Sequence, residues 1–375
     1  MGSKRAMLTN GLGEVLSSEV PKSQRFVDLF TGSGVVAWYA ATRWSKPVIA
    51  SDLQCYAVCL AEAVVARDAP LKDDNIYEHW IDRARVRARE NLTYHAADRL
   101  QTEIASMGAA VAAGEARLLC ESADCSPVQR AYGGYYFSAL QALVIDALRA
   151  TLPDRKDARS VCLAALIQAA SRIAAAPGHT AQSFKPNETA GRFLIEAWQK
   201  SIGTELRKAY IALAQQCAKT VGSVVQGDAV DVASVLREGD LAFIDPPYSA
   251  VHYSRFYHVL ETISLGQYVQ VEGEGRYPPP ELRPKSDFSI KSQSGIALDR
   301  LFAQLAKVGA GAVVTFPVHD ASNGLSGSSV VGTASKHFTI EEEKISSRMS
   351  TMGGNARSRD ARLHTEELIL KLRPR

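Results

Sequence analysis

The chain has 375 residues and a formal net charge of +3 at pH 7. That length accommodates an enzyme core plus one inserted or appended domain, and so small a charge means that a nucleic-acid surface must come from uneven distribution. Six cysteines without a C-x-x-C pair argue against a zinc ribbon, an iron-sulfur cluster or a secreted disulfide scaffold, and no metal site is expected. The opening residues carry no apolar leader, Ala6 breaks the myristoylation pattern begun by Met1 and Gly2, and no stretch is apolar enough to span a bilayer. A reduced, soluble, cytoplasmic protein without a membrane partner is the expectation.

In chain order, F-V-D-L up to Leu29, a Gly-containing turn and V-V-A-W-Y-A-A read as strand, turn and helix. P-V-I-A at 47–50 predicts a second strand ending at Ser51 and Asp52, followed by a helix over 53–66. From about Leu71 to Lys219 the composition shifts to alanine, glutamine, arginine and leucine with widely spaced breakers, which predicts an inserted helical domain. Alternation of strand and helix then returns: V-V-Q-G-D at 224–228, L-A-F-I-D at 241–245, a helix around 255–265 and A-V-V-T-F at 312–316. The Pro- and Gly-rich segment 266–294 lacks periodicity and reads as a long loop. F-T-I-E-E-E-K-I and E-E-L-I-L-K-L, on either side of a Gly- and Arg-rich loop, predict an antiparallel pair closing the sheet. The expected class is α/β, a Rossmann-like sheet built from residues 1–70 and 220–375 and interrupted by a helical domain at 71–219.

Two motifs carry chemistry. F-T-G-S-G, Phe30 to Gly34, lets the backbone approach a ligand and aims helix amides at an anion, although an ordinary strand-to-helix turn has the same look. Without a third glycine or a P-loop lysine it favours neither a dinucleotide site nor a phosphate loop. Asp52, twenty residues beyond Gly32, occupies the position from which an acid holds ribose hydroxyls, or it caps the next helix. D-P-P-Y, Asp245 to Tyr248, directly follows a buried strand; two prolines without amide donors end that strand rigidly and leave carbonyls and a carboxylate facing outward.

With G-S-K-R at 2–5, Asp52 and G-D-A at 227–229, these motifs make the chain resemble the amino-directed DNA methyltransferases. The similarity is to the Dam-like adenine methylases, whose target-recognition insert lies between F-x-G-x-G and D-P-P-Y. Both ends of the chain carry the resemblance, while 71–219 matches nothing named. It implies S-adenosylmethionine as cofactor, held by Lys4, Asp28, Phe30, Gly32, Gly34, Asp52 and Asp228, with Asp231 as an alternative to the last. It further implies that Asp245 and the Pro246 carbonyl, within the rigid Pro246–Pro247 turn, accept hydrogen bonds from the target amine while Tyr248 stacks on the base. The implied partner is double-stranded DNA with its target base flipped out, and the resemblance leaves a cognate restriction or defence component open as a second.

The chemistry is coherent on its own terms. Acceptors on both hydrogens push a conjugated exocyclic amine towards tetrahedral geometry and free its lone pair, and a base inside a duplex is out of reach unless flipped. Downstream of D-P-P-Y, Tyr253 and Arg255 are candidate substrate contacts, whereas Tyr257, Leu260 and Ile263 have core spacing and His258 reads as a helix histidine. Arg357 and Arg359, with Arg362, form a candidate phosphate clamp; Arg83, Arg85, Arg87 and Arg89 read as a solvated helix face. Alternatives are cytosine-N4 or RNA adenine methylation, and an inactive cofactor- or DNA-binding subunit. A nicotinamide oxidoreductase would need the third glycine and a proton relay.

Overall fold

The computed structural model describes residues 4–72, 75–121, 126–350 and 362–375, with backbone only at 346–350 and 362–365. It divides into two compact units: Met1–Ala69 with Gln216–Tyr253 and Pro284–Arg375, and Pro70–Gln215 with Ser254–Arg283.

The first unit is built on a seven-stranded sheet with strands β1 Arg25–Asp28, β2 Val48–Asp52, β3 Ser223–Gln226, β4 Asp240–Ile244, β5 Gly311–Pro317, β6 Phe338–Ser350 and β7 Arg362–Pro374. Their order is β3-β2-β1-β4-β5-β7-β6. The first five are parallel, and β7 pairs antiparallel with both β5 and β6. The α/β Rossmann-like class and the closing antiparallel pair are as the sequence implied. Short apolar runs form the central strands because both faces are buried, β4 at every position; on one face Val27, Ala242, Ile244, Val314 and Phe316 pack against Leu298, Leu301, Phe302 and Leu305 of the helix Ser294–Lys307. From β1 the chain steps outwards through β2 to β3, then returns to the other side of β1 with β4. That reversal puts the topological switch point at the carboxyl ends of β1 and β4, the place where open α/β sheets bind ligands.

Helices make up the second unit. Alanine-rich faces let them approach closely: Ala112, Ala113 and Ala116 of Ala109–Cys120 pack with Leu100, Leu194 and Trp198. Lys156–Ile173 is apolar nearly all round and buried accordingly. Buried polar groups here fasten backbone. Ser138 and Gln141 form a capping box, and the Gln141 amide also donates to the carbonyls of Ala197, Trp198 and Lys200.

Two readings of the sequence need correction. The segment 266–294 contains a bridge between Glu272 and Tyr277 and short 3₁₀ turns at Pro280–Leu282 and Asp287–Ser289, and its last residue begins the helix Ser294–Lys307. Residues 254–283 group with the helical unit, although their sequence position follows the sheet-building segments.

Candidate active site

The glycine turn follows β1. Thr31 N–H donates to the Ser51 carbonyl, which ties the turn to the end of β2, and Gly34 N–H donates back to the Thr31 carbonyl. Gly32 has φ 49° and Gly34 φ 78°, left-handed values that favour glycine. A Cβ on Gly34 would meet the Trp38 ring at 3.0 Å; one on Gly32 would meet only the Phe30 carbonyl, at 3.9 Å, so open space lies above that backbone. Phe30 itself sits edge-on against Phe288, ring centroids 5.0 Å apart.

Two carboxylates flank the turn. Asp52 accepts from Gly32 N–H at 2.9 Å and from Gln54 N–H at 3.0 Å, so it serves both the turn and the following helix. Burial raises its pKa against those amides. Asp28, at the end of β1, is 1% exposed; one oxygen accepts from the Thr31 hydroxyl at 3.1 Å, and the other, Oδ1, has no hydrogen-bond partner among the described residues, although the Phe30 amide also acts on this carboxyl. Burial, reinforced by the charges of Asp245 and Asp52, pushes its carboxyl up to about 7. Beside Asp52, the buried Gln54 amide nitrogen likewise lacks an acceptor among the described residues. An unspent buried acceptor and donor next to an open glycine backbone suit a small polar ligand carrying a cation.

D-P-P-Y begins where β4 ends. Asp245 Oδ1 receives the Thr315 hydroxyl at 3.0 Å and lies 2.9 Å from the Lys4 ammonium, while Oδ2 has no partner among the described residues. Buried Asn323 holds the loop, donating to the carbonyls of Pro247 at 2.7 Å and Phe288 at 3.0 Å. Pro246 is buried, and Tyr248, half-buried against the core, meets Tyr253 edge-on at 6.5 Å. Burial, then the charge of Asp245, raises the Tyr248 phenol.

Lys4 lies between two acids, with Glu367 Oε2 3.7 Å from its ammonium. Burial acts to lower the Lys4 pKa, but the Asp245 and Glu367 charges outweigh it and raise the value. Glu367, 2% exposed, is itself raised by burial.

The structure thus brings Lys4, Asp28, Phe30, Gly32, Gly34, Asp52, Asp245, Pro246, Pro247, Tyr248 and Tyr253 into one unit. Asp228 lies at the end of β3 and caps the helix Ala229–Ala233 by accepting from Val230 N–H. Arg255 belongs to the helical unit, its guanidinium 4.6 Å from the Tyr277 ring centroid. Arg357 and Arg359 lie outside the described residues, as does the side chain of Arg362. Tyr257, Leu260 and Ile263 are buried as their spacing implied, and burial pushes His258 down to about 4. Thr315, Asn323 and Glu367 went unnoticed in the sequence; nothing local distinguishes a threonine inside A-V-V-T-F or the second glutamate of E-E-L-I-L.

Comparison with known proteins decides the family. The model of the D12 class N6 adenine-specific DNA methyltransferases matches residues 1–102 and 144–296, more than half of the chain. The chain belongs to this family. Among curated relatives of this D12 member, the type II methyltransferase M.FokI of Planomicrobium okeanokoites is 25% identical over 312 residues, covering 80% of this chain and 42% of that protein. Modification methylase LlaI of Lactococcus lactis subsp. lactis is 22% identical over 330 residues, 81% of this chain and 44% of its own length. M.NlaIII of Neisseria lactamica is 24% identical over 278 residues, 69% of this chain and 64% of its own. The D12 chain therefore spans less than half the length of the first two relatives. No helix among its described residues is long and apolar enough to cross a membrane.

Proposed function

We propose that this D12 chain transfers the methyl group of S-adenosylmethionine to the exocyclic N6 amine of adenine in double-stranded DNA, with the target base flipped out of the duplex. The observation that carries the reading is the end of β4. There Asp245 spends Oδ1 on Thr315 and Lys4, keeps Oδ2 open, and stands across the sheet's switch point from the glycine turn.

The residues present fit the cofactor. The unpartnered Asp28 Oδ1 suits its α-ammonium, and a cation there draws that carboxyl back to the ionised form. Asp52 keeps a lone pair for the ribose hydroxyls beyond the backbone amides it already binds. The open side of Gly32 leaves room for close approach, and the first-turn amides of Val35–Arg43 would suit the cofactor's carboxylate. When bound, S-adenosylmethionine supplies an electrophilic methyl on a sulfonium. Asp228 and Asp231 are the acids available near the adenine end, though Asp228 already caps a helix.

Towards the amine, Asp245 Oδ2 and the Pro246 carbonyl act as the two acceptors, which localise the nitrogen lone pair. Lys4 and Thr315 fix the carboxylate so that no reorientation is needed as charge develops. Tyr248 offers an aromatic face in place of lost base stacking, and Asn323 keeps that loop in shape. Tyr253 would wall the base; Arg255, Arg357 and Arg359 would contact phosphates. A cognate restriction or defence component is the further partner this role would take, and the cytoplasm is where it would act.

The test is transfer of labelled methyl to unmethylated double-stranded DNA, followed by nucleoside analysis. Wild type should yield N6-methyladenine, and Asp245→Ala should lower the rate by about a thousandfold or more. Label on cytosine or only on RNA would reassign the target; no transfer despite measured cofactor binding would point to an inactive binding subunit.

A further inference from the structure

We propose that Glu367 is a positioning residue for methyl transfer: from a fixed place on β7 it immobilises the Lys4 ammonium, and through it holds Asp245 with Oδ2 turned to the target amine. The inference rests on the methyltransferase reading given above.

The two donors on Asp245 Oδ1 differ in rigidity. Thr315 belongs to β5, inside the sheet, and is fully buried. Lys4 reaches in on a flexible four-carbon stem from a helix of only four residues, Lys4–Met7. Left with one carboxylate, such a side chain would sample several rotamers. Glu367 supplies the second point of attachment. Its backbone is paired on both sides, opposite Pro317 of β5 and Ile345 of β6. Oε2 lies 3.7 Å from the ammonium, an ion pair longer than a hydrogen bond, and among the described residues Lys4 is the cation that faces that oxygen.

A purely structural glutamate at this place would be a poor solution. A buried carboxylate is costly unless its oxygens are satisfied, and like charge on Asp245 makes it worse. The arrangement is intelligible when Glu367 balances Lys4. One ammonium between two carboxylates settles into a defined position, and withdrawing one of them lowers the lysine's affinity for its proton.

The experiment is a double-mutant cycle on the full chain, with Lys4→Gln, Glu367→Gln and the pair. It is read by single-turnover methylation of DNA, by calorimetric binding of S-adenosylmethionine, and by the pH dependence of the rate. Glu367→Gln should slow single turnover about tenfold, leave cofactor affinity unchanged and move the alkaline limb of the rate profile to lower pH. In the Lys4→Gln background the same change should cost nothing further. Additive losses, a wild-type rate in Glu367→Gln, or an unmoved alkaline limb would overturn the proposal. Should Glu367→Gln fail to fold by circular dichroism, Glu367→Asp, which keeps the charge and shortens its reach, takes its place in the cycle with the same expectations for rate and coupling. Absence of transfer by wild type would instead sink the methyltransferase reading.

Discussion

Each unit contains one deeply buried aspartate whose carboxyl burial pushes up to about 7: Asp28 in the sheet unit and Asp146 in the helical unit. They differ in what their oxygens do. Asp146 spends both, accepting from Val128 N–H at 2.9 Å and Gln129 N–H at 2.8 Å, and so caps the helix Pro127–Tyr132 from the neighbouring helix. Asp28 spends one on Thr31 and leaves the other, beside the Phe30 amide, without a hydrogen bond of good geometry among the described residues. The same perturbed acidity therefore marks a strut in one place and an unfinished contact in the other. Hydrogen-bond bookkeeping, rather than the shift, separates them.

The contrast is open to attack at several points. The largest effect is expected from Asp146→Ala, which strands two buried amides and should lower the unfolding free energy by about 2–5 kcal/mol. Urea denaturation measures the loss, while the methylation rate per folded molecule should stay within about twofold of wild type. A change in rate without a change in stability would reverse the roles assigned to the two acids. Asp28→Asn should weaken S-adenosylmethionine binding by about tenfold in titration calorimetry, because the amide keeps the Thr31 contact and loses the charge.

It should also change how stability follows pH. A carboxyl raised from its ordinary 3.8 to about 7 in the fold stabilises fully below pH 3.8, and that contribution is lost as pH rises to about 7. Cofactor-free wild type should therefore melt progressively lower over that window, and Asp28→Asn should flatten the Asp28 part of the slope. A slope identical in the two proteins would mean that Asp28 has found a partner. The smallest effect belongs to Gly32→Ala, where the added methyl meets nothing closer than 3.9 Å and only the left-handed backbone resists, at about 1 kcal/mol. A thermal-melt loss several times greater would show that the space above the turn is filled.

Legibility in the sequence follows the same division. β1, β2 and β4 were readable because each is a short apolar run ending in residues that only a special backbone needs: Gly32 and Gly34 at positive φ, Asp52 beside them, and two prolines after Asp245. Thr315, Asn323 and Glu367 were unreadable because ordinary residue types gain their roles from register, Asp245 meeting Thr315 only once β4 lies beside β5. The helix Ser294–Lys307 escaped for a different reason. Its apolar periodicity is plain, but it starts directly at the end of a Pro- and Gly-rich stretch that masks the boundary. In the helical unit, polar side chains mostly hold backbone across long sequence separations, as Gln141 does with Ala197 and Trp198, and no local pattern announces such partners.

The place of β7 in the sheet has a consequence for biosynthesis. Although it follows β6 in sequence, it lies between β5 and β6, and among the described residues β6 pairs with no other strand. On a ribosome, β1 to β5 can assemble while the outer edge of β5 stays bare and β6 waits for a mate. Glu367 arrives with that strand, and Lys4 stands far ahead of it in the sequence, on the helix Lys4–Met7. The ion pair that joins them closes a loop from residue 4 to residue 367, so a nascent chain that already displays the glycine turn and D-P-P-Y remains unclamped until translation has passed β7.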